Sequence, residues 1–314
     1  MPYLSYCMSI IEINEPGIRT FGDPETIAAT NPLWREDIEK FGPWRHVDNH
    51  PLSNEGSGRV WMSGDPGAGT RITICGKCGS AMDAAWRFIQ DDLFSPWDSV
   101  LAVTQTAGRG RHGRSWISPP GNLHAAWRWP LPCEGHSPES GWKNMISLLA
   151  GYVSAKALYD ISGLDIRLKW PNDLLINNRK VGGILTELRS DDIVVGIGIN
   201  VNACPPDADL RHDFAAPATH LAAEGFNTGP LSIWTAFTQT AKTLFMELTT
   251  ALSSTEFISV IRPMLAWVGK PVRIISGFDD IAGVITGISP DGGLCLNCKD
   301  RDIVIYSGSI LPVA

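Results

Sequence analysis

No stretch of this 314-residue chain reaches the roughly 20 consecutive apolar residues that a membrane-spanning helix needs, so a helical membrane protein is excluded. Positive charge is also scarce. Lys and Arg number 26 against 33 Asp and Glu, a formal net charge of −7. Broad binding to nucleic acid or to anionic membranes is built from excess Lys and Arg, so neither is expected as a partner. No pair of helices around a tight turn suggests a helix-turn-helix DNA reader. The opening "MPYLSYCMSIIEINEPG" lacks the basic and apolar regions of a signal peptide, which predicts a cytoplasmic protein. Seven cysteines, an odd number, fit reduced thiols better than a disulfide framework. Two Cys-x-x-Cys pairs, Cys75/Cys78 and Cys295/Cys298, contain enough thiolates for a tetrahedral zinc. They lie far apart in sequence, and Cys295 and Cys298 alternate onto opposite faces of a strand, so small buried thiols are the preferred reading.

What is present suggests two or three domains. Residues 1–68 are uneven, with one short helix expected at "NPLWREDIEKFG" among loops, and form an N-terminal extension of unknown role. From residue 69 the pattern sharpens: "TRITIC" reads as a strand, "SAMDAAWRFIQDDL" as a helix with an apolar stripe through Met82, Ala85, Trp86 and Ile89, and "DSVLAVTQ" as a strand. A strand at "NLHAAWRW", a helix at "NMISLLAGYVSAKALYDIS", strands at "IRLKW", "DLLINNRKVGGILTEL" and "DIVVGIGINVN", and helices near 231–266 complete an α+β rather than a doubly wound pattern. The tail from Trp267 has short alternating strands separated by "SGFDD", "SPDGG" and "KDRD", which predicts a small β-barrel and a boundary near residue 268. The expected domains are therefore 1–68, 69–267 and 268–314.

"TQTAGRGRHGRSW" (104–116) spaces Gly108, Gly110 and Gly113 as in a dinucleotide-binding turn. Such a turn needs a helix after it, whose N-terminus binds the pyrophosphate. Here Pro119, Pro120 and Gly121 follow, and they cannot open a stable helix. Arg109, Arg111 and Arg114, with His112, instead put three certain cations into six residues of a glycine-rich loop, which suits a phosphate or acyl-phosphate.

"GRGRHGRSW" resembles the adenylate-binding loop of biotin protein ligases, "KWPNDLLINNRKVGGIL" (169–185) is similar to that family's second motif, and "GIGINVN" (196–202) to its third. The resemblance covers residues 69–314. It implies a mixed-sheet catalytic domain of the biotin/lipoate ligase type with a C-terminal SH3-like β-barrel, of the monofunctional kind without a DNA-binding domain. The implied reaction uses ATP and Mg²⁺ to make biotinyl-5′-AMP from biotin and transfers the biotinyl group to a lysine of a biotin carboxyl carrier domain. By resemblance, Lys180 is the central catalytic cation and Arg111 the acyl-phosphate clamp. Asp173 is the metal ligand. Ser80, Gln105, Gly108, Arg109, Gly110, His112, Gly113, Arg114, Trp116, Lys169, Asn172, Gly182, Gly183 and Asn200 bind substrate, Gln105 through the ureido ring and Asn200 through the adenylate. Trp170 is as readily a core residue, and Asn200 and Asn202 read without the resemblance as caps.

Two positions depart from the family pattern. His112 stands where arginine is usual, which makes one charge conditional on pH. In "CGSAMD" only Ser80 matches the family's Ser-Thr-Asn stretch, so Ala81 and Met82 imply weaker biotin binding or an altered ligand. A lipoate or octanoate ligase of the same fold and a non-catalytic biotin or adenylate sensor therefore stand as alternatives; Lys180 beside Asp173 argues for an enzyme. "NLHAAWRW" offers either an edge strand for a homodimer or acceptor, or an inner strand.

Overall fold

The computed structural model describes residues 16–47, 59–65, 69–132, 141–206, 216–276, 279–299 and 301–313. In chain order the first elements are β1 (Gly17–Phe21), α1 (Pro24–Ala28), α2 (Pro32–Lys40), β2 (Trp44–Val47), β3 (Val60–Ser63), β4 (Arg71–Cys78), α3 (Ala81–Gln90), β5 (Ser99–Gln105) and β6 (Leu123–Trp129). Then come α4 (Trp142–Ser162), β7 (Arg167–Lys169), β8 (Asp173–Ile176), β9 (Arg179–Arg189), β10 (Asp192–Ile199), α5 (Pro230–Ala251) and α6 (Ser254–Ile261). Strands β11 (Pro271–Ser276), β12 (Asp279–Ile288), β13 (Leu294–Cys298), β14 (Arg301–Ile305) and β15 (Ser309–Pro312) end the chain. The chain divides into two compact units, the first within 1–130, 187–203 and 227–239 and the second within 131–186, 204–226 and 240–314.

The first unit is a mixed sheet in the order β2-β3-β1-β4-β5-β6-β10, parallel at β1/β4 and β4/β5 and antiparallel elsewhere. The long apolar stretches of β4 and β5 are buried, as strands covered on both faces must be. The expected stripe on α3 buries Met82, Ala85 and Trp86. Aromatic rings fill the core around Trp127, edge-on to Trp129, Trp234 and Phe237, and the two indole N–H groups find acceptors: Trp127 Nε1 donates to Trp97 O (2.9 Å) and Trp234 Nε1 to Ser99 Oγ (2.8 Å). Strand β6 pairs with β5 on one side and β10 on the other, so of the two alternatives for "NLHAAWRW" the inner strand is the one found.

Three strands before residue 69, β1, β2 and β3, belong to this sheet. β1 joins β4 in parallel register from Gly17↔Arg71 to Phe21↔Cys75. Helix α2 forms where "NPLWREDIEKFG" predicts it, with Asn31 as N-cap and Pro32 in its first turn. It places Asp37 at the start of α5, where the carboxylate accepts from Leu231 N (2.7 Å), Ser232 N (3.1 Å) and Ser232 Oγ (2.6 Å). A Cβ on Gly229 would lie 2.3 Å from Asp37 Oδ2, so glycine is required for this approach.

In the second unit α4 is buried along most of its length and ends at Gly163, whose φ of 70° completes a left-handed cap. It packs so closely on β7 that a Cβ at Gly151 would fall 2.7 Å from Leu168. Strands β7, β8 and β9 form an antiparallel meander. The tail forms a separate antiparallel sheet, order β14-β13-β12-β11-β15. Among the described residues no pairing joins β14 to β15, so the expected barrel is found as an open five-stranded sheet.

Among the described residues no helix is long and apolar enough to cross a membrane, and no three His, Cys, Asp or Glu side chains cluster as a metal site. Burial pushes the Cys78 thiol up to about 11 and the Cys75 thiol up as well.

Asp37→Ala is expected to destabilise the chain by about 2 kcal/mol, since it strips the acceptors from two buried N–H groups at a helix start. Asp37→Asn should lose less. An Asp37→Ala urea midpoint equal to the parent's would sink this account.

Candidate active site

The predicted residues fall into two sets, one per unit. In the second unit, Lys169, Asn172, Asp173, Lys180, Gly182 and Gly183 lie on the β7–β8–β9 meander. Lys169 opposes Asp173 across β7/β8, and Asp173 opposes Gly183 across β8/β9. Directly opposed residues share a face of the sheet. Regular pairing beyond Gly183 would set Lys180 against Ile176, on the face away from Asp173. A β-bulge after Leu174↔Gly182 pairs Lys180 with Leu175 instead, and the lysine moves onto the Asp173 face. There Lys180 Nζ is 2.6 Å from Asp173 Oδ1, and Lys169 Nζ is 3.5 Å from Oδ2. Burial alone would raise the Asp173 pKa; the opposing Lys180 and Lys169 charges and their hydrogen bonds win and lower it, so the carboxylate is ionised at neutral pH.

The backbone at Lys180 is fixed twice over. Its N–H donates to Pro217 O (2.6 Å) and its carbonyl accepts from Thr219 N (2.9 Å). Asn177 and Asn178, with φ of 51° and 60°, form the two-residue turn before it, the positive φ values that a hairpin of this kind demands. Asn172 is tied to β9: its Nδ2 donates to Ile184 O (2.8 Å) and its carbonyl accepts from Ile184 N (2.9 Å). Trp170 is buried and donates to Gly292 O (3.0 Å), which makes it a core residue.

In the first unit, Ser80, Gln105, the residues 108–116 and Asn200 surround the β5–β6 connection. No α-helix follows the glycines: the loop returns into antiparallel β6, which excludes the dinucleotide turn. Gly108 accepts from Trp116 N (2.8 Å), and a Cβ there would lie 2.5 Å from Trp116 O. Gly110 N donates to Arg114 O (2.7 Å), closing a tight loop in which Arg111–Gly113 make one 3₁₀ turn. His112 has φ 57° and ψ 36°, a left-handed conformation in which histidine is enriched over arginine. His112 and Arg114 are exposed and Arg111 half-buried.

Several expected ligand groups already have protein partners. Arg109 bridges Asp83 (2.7 Å) and Glu187 (2.9 Å), a pairing that ties the loop to the first turn of α3. Gln105 Oε1 accepts from Ala81 N (2.8 Å) and its Nε2 donates to Ser118 Oγ (2.8 Å), so this amide holds the start of α3 beside the loop. Ser80 is the buried N-cap residue of α3, and Ala81 and Met82 are buried behind it. Trp116 lies against β10, where a Cβ on Gly198 would come within 2.5 Å of its ring.

Two functional supports escaped the sequence reading. The bulge at β9 is one. The other is Asn122, fully buried, whose Oδ1 accepts from Val201, Asn202 and Ala203 N (3.0, 2.9 and 3.1 Å) and whose Nδ2 donates to Ala203 O (2.8 Å). It shapes the chain after Asn200, itself buried. Alternate glycines at 196 and 198 were the one available signal of close approach to this strand.

The donor set around Asp173 is already engaged by cations. Both Asp173 oxygens face ammonium groups, and a hard dication requires free oxygen ligands. Asp173 as metal ligand therefore does not fit: it neutralises and aims lysines, and the face suits an anion.

His124 opposes Gly198 and its Nε2 contacts Pro119 O at 3.2 Å, while burial lowers its pKa from 6.5 to about 4. A depressed folded-state pKa gives stability that is present above the unfolded value near 6.5 and lost as pH falls toward about 4, some 3 kcal/mol in all. His124→Gln should flatten the stability curve across that window; an equally steep decline in the variant would refute this origin.

The biotin/lipoate A/B protein ligase family model matches residues 80–203, and the biotin protein ligase C-terminal domain model matches 268–311. The bifunctional ligase/repressor BirA of Escherichia coli is 32% identical over 211 residues, 63% of this chain. The chain covers 61% of that relative, less than two thirds of its length. A biotin protein ligase of Aquifex aeolicus, solved in complex with biotin and ATP, superposes with a TM-score of 0.62 at 26% identity over 76% of this chain and 97% of that one. The biotin–[acetyl-CoA-carboxylase] ligase of Paracoccus denitrificans is 32% identical over 216 residues, 64% of this chain and 84% of that protein. At that identity and coverage, the chain belongs to the biotin protein ligase family.

Proposed function

We propose that the protein is an ATP-dependent ligase that activates biotin as biotinyl-5′-AMP and transfers the biotinyl group to a lysine of a biotin carboxyl carrier domain. The observation that carries this reading is the Lys169–Asp173–Lys180 face. Two ammonium groups share one carboxylate, which leaves one net positive charge on a face built from three paired strands.

In the first step an oxygen of the biotin carboxylate forms a bond to the α-phosphorus of ATP, and the bond to the bridging oxygen breaks to release pyrophosphate. Negative charge builds on the α-phosphate oxygens. Lys180, its backbone fixed and its ammonium held by Asp173, supplies preorganised positive charge that need not reorient during the reaction. Arg111 clamps the acyl-phosphate with a planar, two-pronged donor. Mg²⁺, when bound with ATP, would offset charge on its phosphates, and no protein carboxylate is assigned to it. In the second step the neutral amine of the acceptor lysine attacks the acyl carbon; the new C–N bond forms, the C–O bond to phosphate breaks, AMP leaves, and the amine proton passes to solvent.

A lipoate or octanoate ligase is not favoured, because the solved relative superposed on this chain is in complex with biotin and ATP and the biotin protein ligase C-terminal domain model matches residues 268–311. Burial of Ala81 and Met82 makes them part of the core behind Ser80 and gives no separate support to a longer acyl substrate.

The decisive assay is biotin-dependent exchange of pyrophosphate into ATP. The parent should catalyse it, and Lys180→Ala should lower kcat by about 100-fold or more. Asp173→Asn should be similarly impaired, because it frees Lys180 from its aim. Exchange with lipoate and none with biotin would replace the substrate, and no exchange with either would reduce the protein to a binding module.

A further inference from the structure

The second unit contains an open cavity of about 590 Å³ that neither step of the reaction uses, lined among others by Arg167, Asn178, Arg262, Leu265, Trp267 and Lys270. Its charged lining is cationic throughout: Arg167, Arg262 and Lys270, with no carboxylate among the lining residues. All three are exposed. In a chain of net charge −7, this is a local reversal of sign.

The wall of the cavity is built. Arg167 donates to Pro263 O (2.7 Å) and pairs with Asp165 (3.0 Å), so its alkyl stem is anchored at the rim. Trp267 sits at φ 63°, a left-handed conformation that is an outlier for so bulky a residue and that persists only where its surroundings over-determine it. Its Nε1 donates to Asn178 Oδ1 (2.9 Å), Lys169 Nζ stands 5.9 Å from its ring, and the preceding Ala266 N donates to Leu168 O (2.8 Å). The indole is only half-buried even so. A tryptophan fixed in place beside arginines is the composition found at the energetic centres of protein interfaces. Small-molecule sites enclose most of their ligand, whereas this cavity is open, so its geometry suits a protuberance of a larger partner.

Its position gives the partner a reason to dock there. Asn178, which lines the cavity, is the second residue of the hairpin turn, and Lys180 follows two positions on. We propose that this cavity docks an acidic face of the acceptor protein, with Trp267 as the apolar anchor and Arg262 and Lys270 as the steering charges. This inference rests on the ligase reading above.

The test uses the full chain, a purified biotin carboxyl carrier domain without biotin, and the variant Arg262→Glu/Lys270→Glu. The variant should raise the acceptor KM by about tenfold or more, through lost steering and added like-charge repulsion, while kcat at saturating acceptor and the acceptor-independent pyrophosphate exchange stay within about twofold of the parent. Raising NaCl from about 50 to about 300 mM should raise the parent's acceptor KM several-fold and leave the variant's nearly flat. An unchanged acceptor KM with intact exchange overturns the docking site. Tight binding of a single-stranded oligonucleotide that the variant abolishes would overturn it in favour of nucleic acid. A parent without biotin-dependent exchange refutes the ligase reading instead. If the double reversal impairs exchange, Arg262→Gln/Lys270→Gln replaces it, with a KM rise of about threefold expected and an unchanged KM again overturning the site.

Discussion

The β8–β9 hairpin and the strand beside it depend on one carboxylate held between two ammonium groups. Lys169 is almost wholly buried, and a buried ammonium without a counter-charge costs several kcal/mol. Asp173 meets that need at 3.5 Å and holds Lys180 at 2.6 Å with its other oxygen. The three residues thus constrain one another: Asp173 holds both lysines close, and the two lysine charges keep Asp173 ionised against its burial. No two of them are sufficient. Pairing Asp173 with Lys180 alone would leave a neutral face, and phosphate attraction needs the surplus.

That arrangement in turn rests on backbone register. One extra residue on β9 decides which side of the sheet Lys180 occupies, because side chains alternate with period two. The bulge is fixed by bonds on both flanks: the Asn177–Asn178 turn closes the hairpin, and Pro217 and Thr219 hold the Lys180 peptide. Arg179 adds two bonds to Ala218 O (3.0 and 2.7 Å), so the neighbouring segment is latched to the strand by side chain as well as by backbone. Trp267 reaches the same turn through Asn178, which links the C-terminal part of the chain to the lysine-bearing hairpin within one unit.

Most of the regular structure was legible in the sequence. Strands β4, β5, β6 and β10 and helices α3 and α4 lie where periodicity predicts them, because each buries one continuous apolar face. The segment 17–47 was not legible as part of the sheet. Its strands are short, and its role turns on Asp37 reaching α5 almost 200 residues away, for which local pattern carries no information. The motifs picked out the candidate residues, yet pattern could not say which face Lys180 takes, since the bulge is a property of the β8/β9 pairing and not of "NRKVGG" itself. Asn122 was invisible for the same reason: in "PPGNLH" it reads as a turn residue, and its three accepted bonds come from a strand end about 80 residues on. Gln105 and Arg109 were correctly placed at the loop, but their partners Ala81, Asp83 and Glu187 were not foreseeable.

Arg109 shows why a cation in a motif is not thereby a ligand. Its guanidinium faces two carboxylates, Asp83 and Glu187, and Glu187 is shared with Arg189 and accepts from Trp86 Nε1 (2.7 Å). Around Arg109 two carboxylates meet two guanidinium groups, Arg109 and Arg189, so the cluster is balanced and offers a phosphate no surplus positive charge. At Asp173 two ammonium groups face one carboxylate. Cations therefore sit in two kinds of surroundings: the arginine fastens a loop whose glycines permit its tight path, and the two lysines share one carboxylate and keep a surplus of positive charge. Local stoichiometry of charge, which only the folded arrangement reveals, separates a cation neutralised within the protein from one whose charge remains to attract an anion.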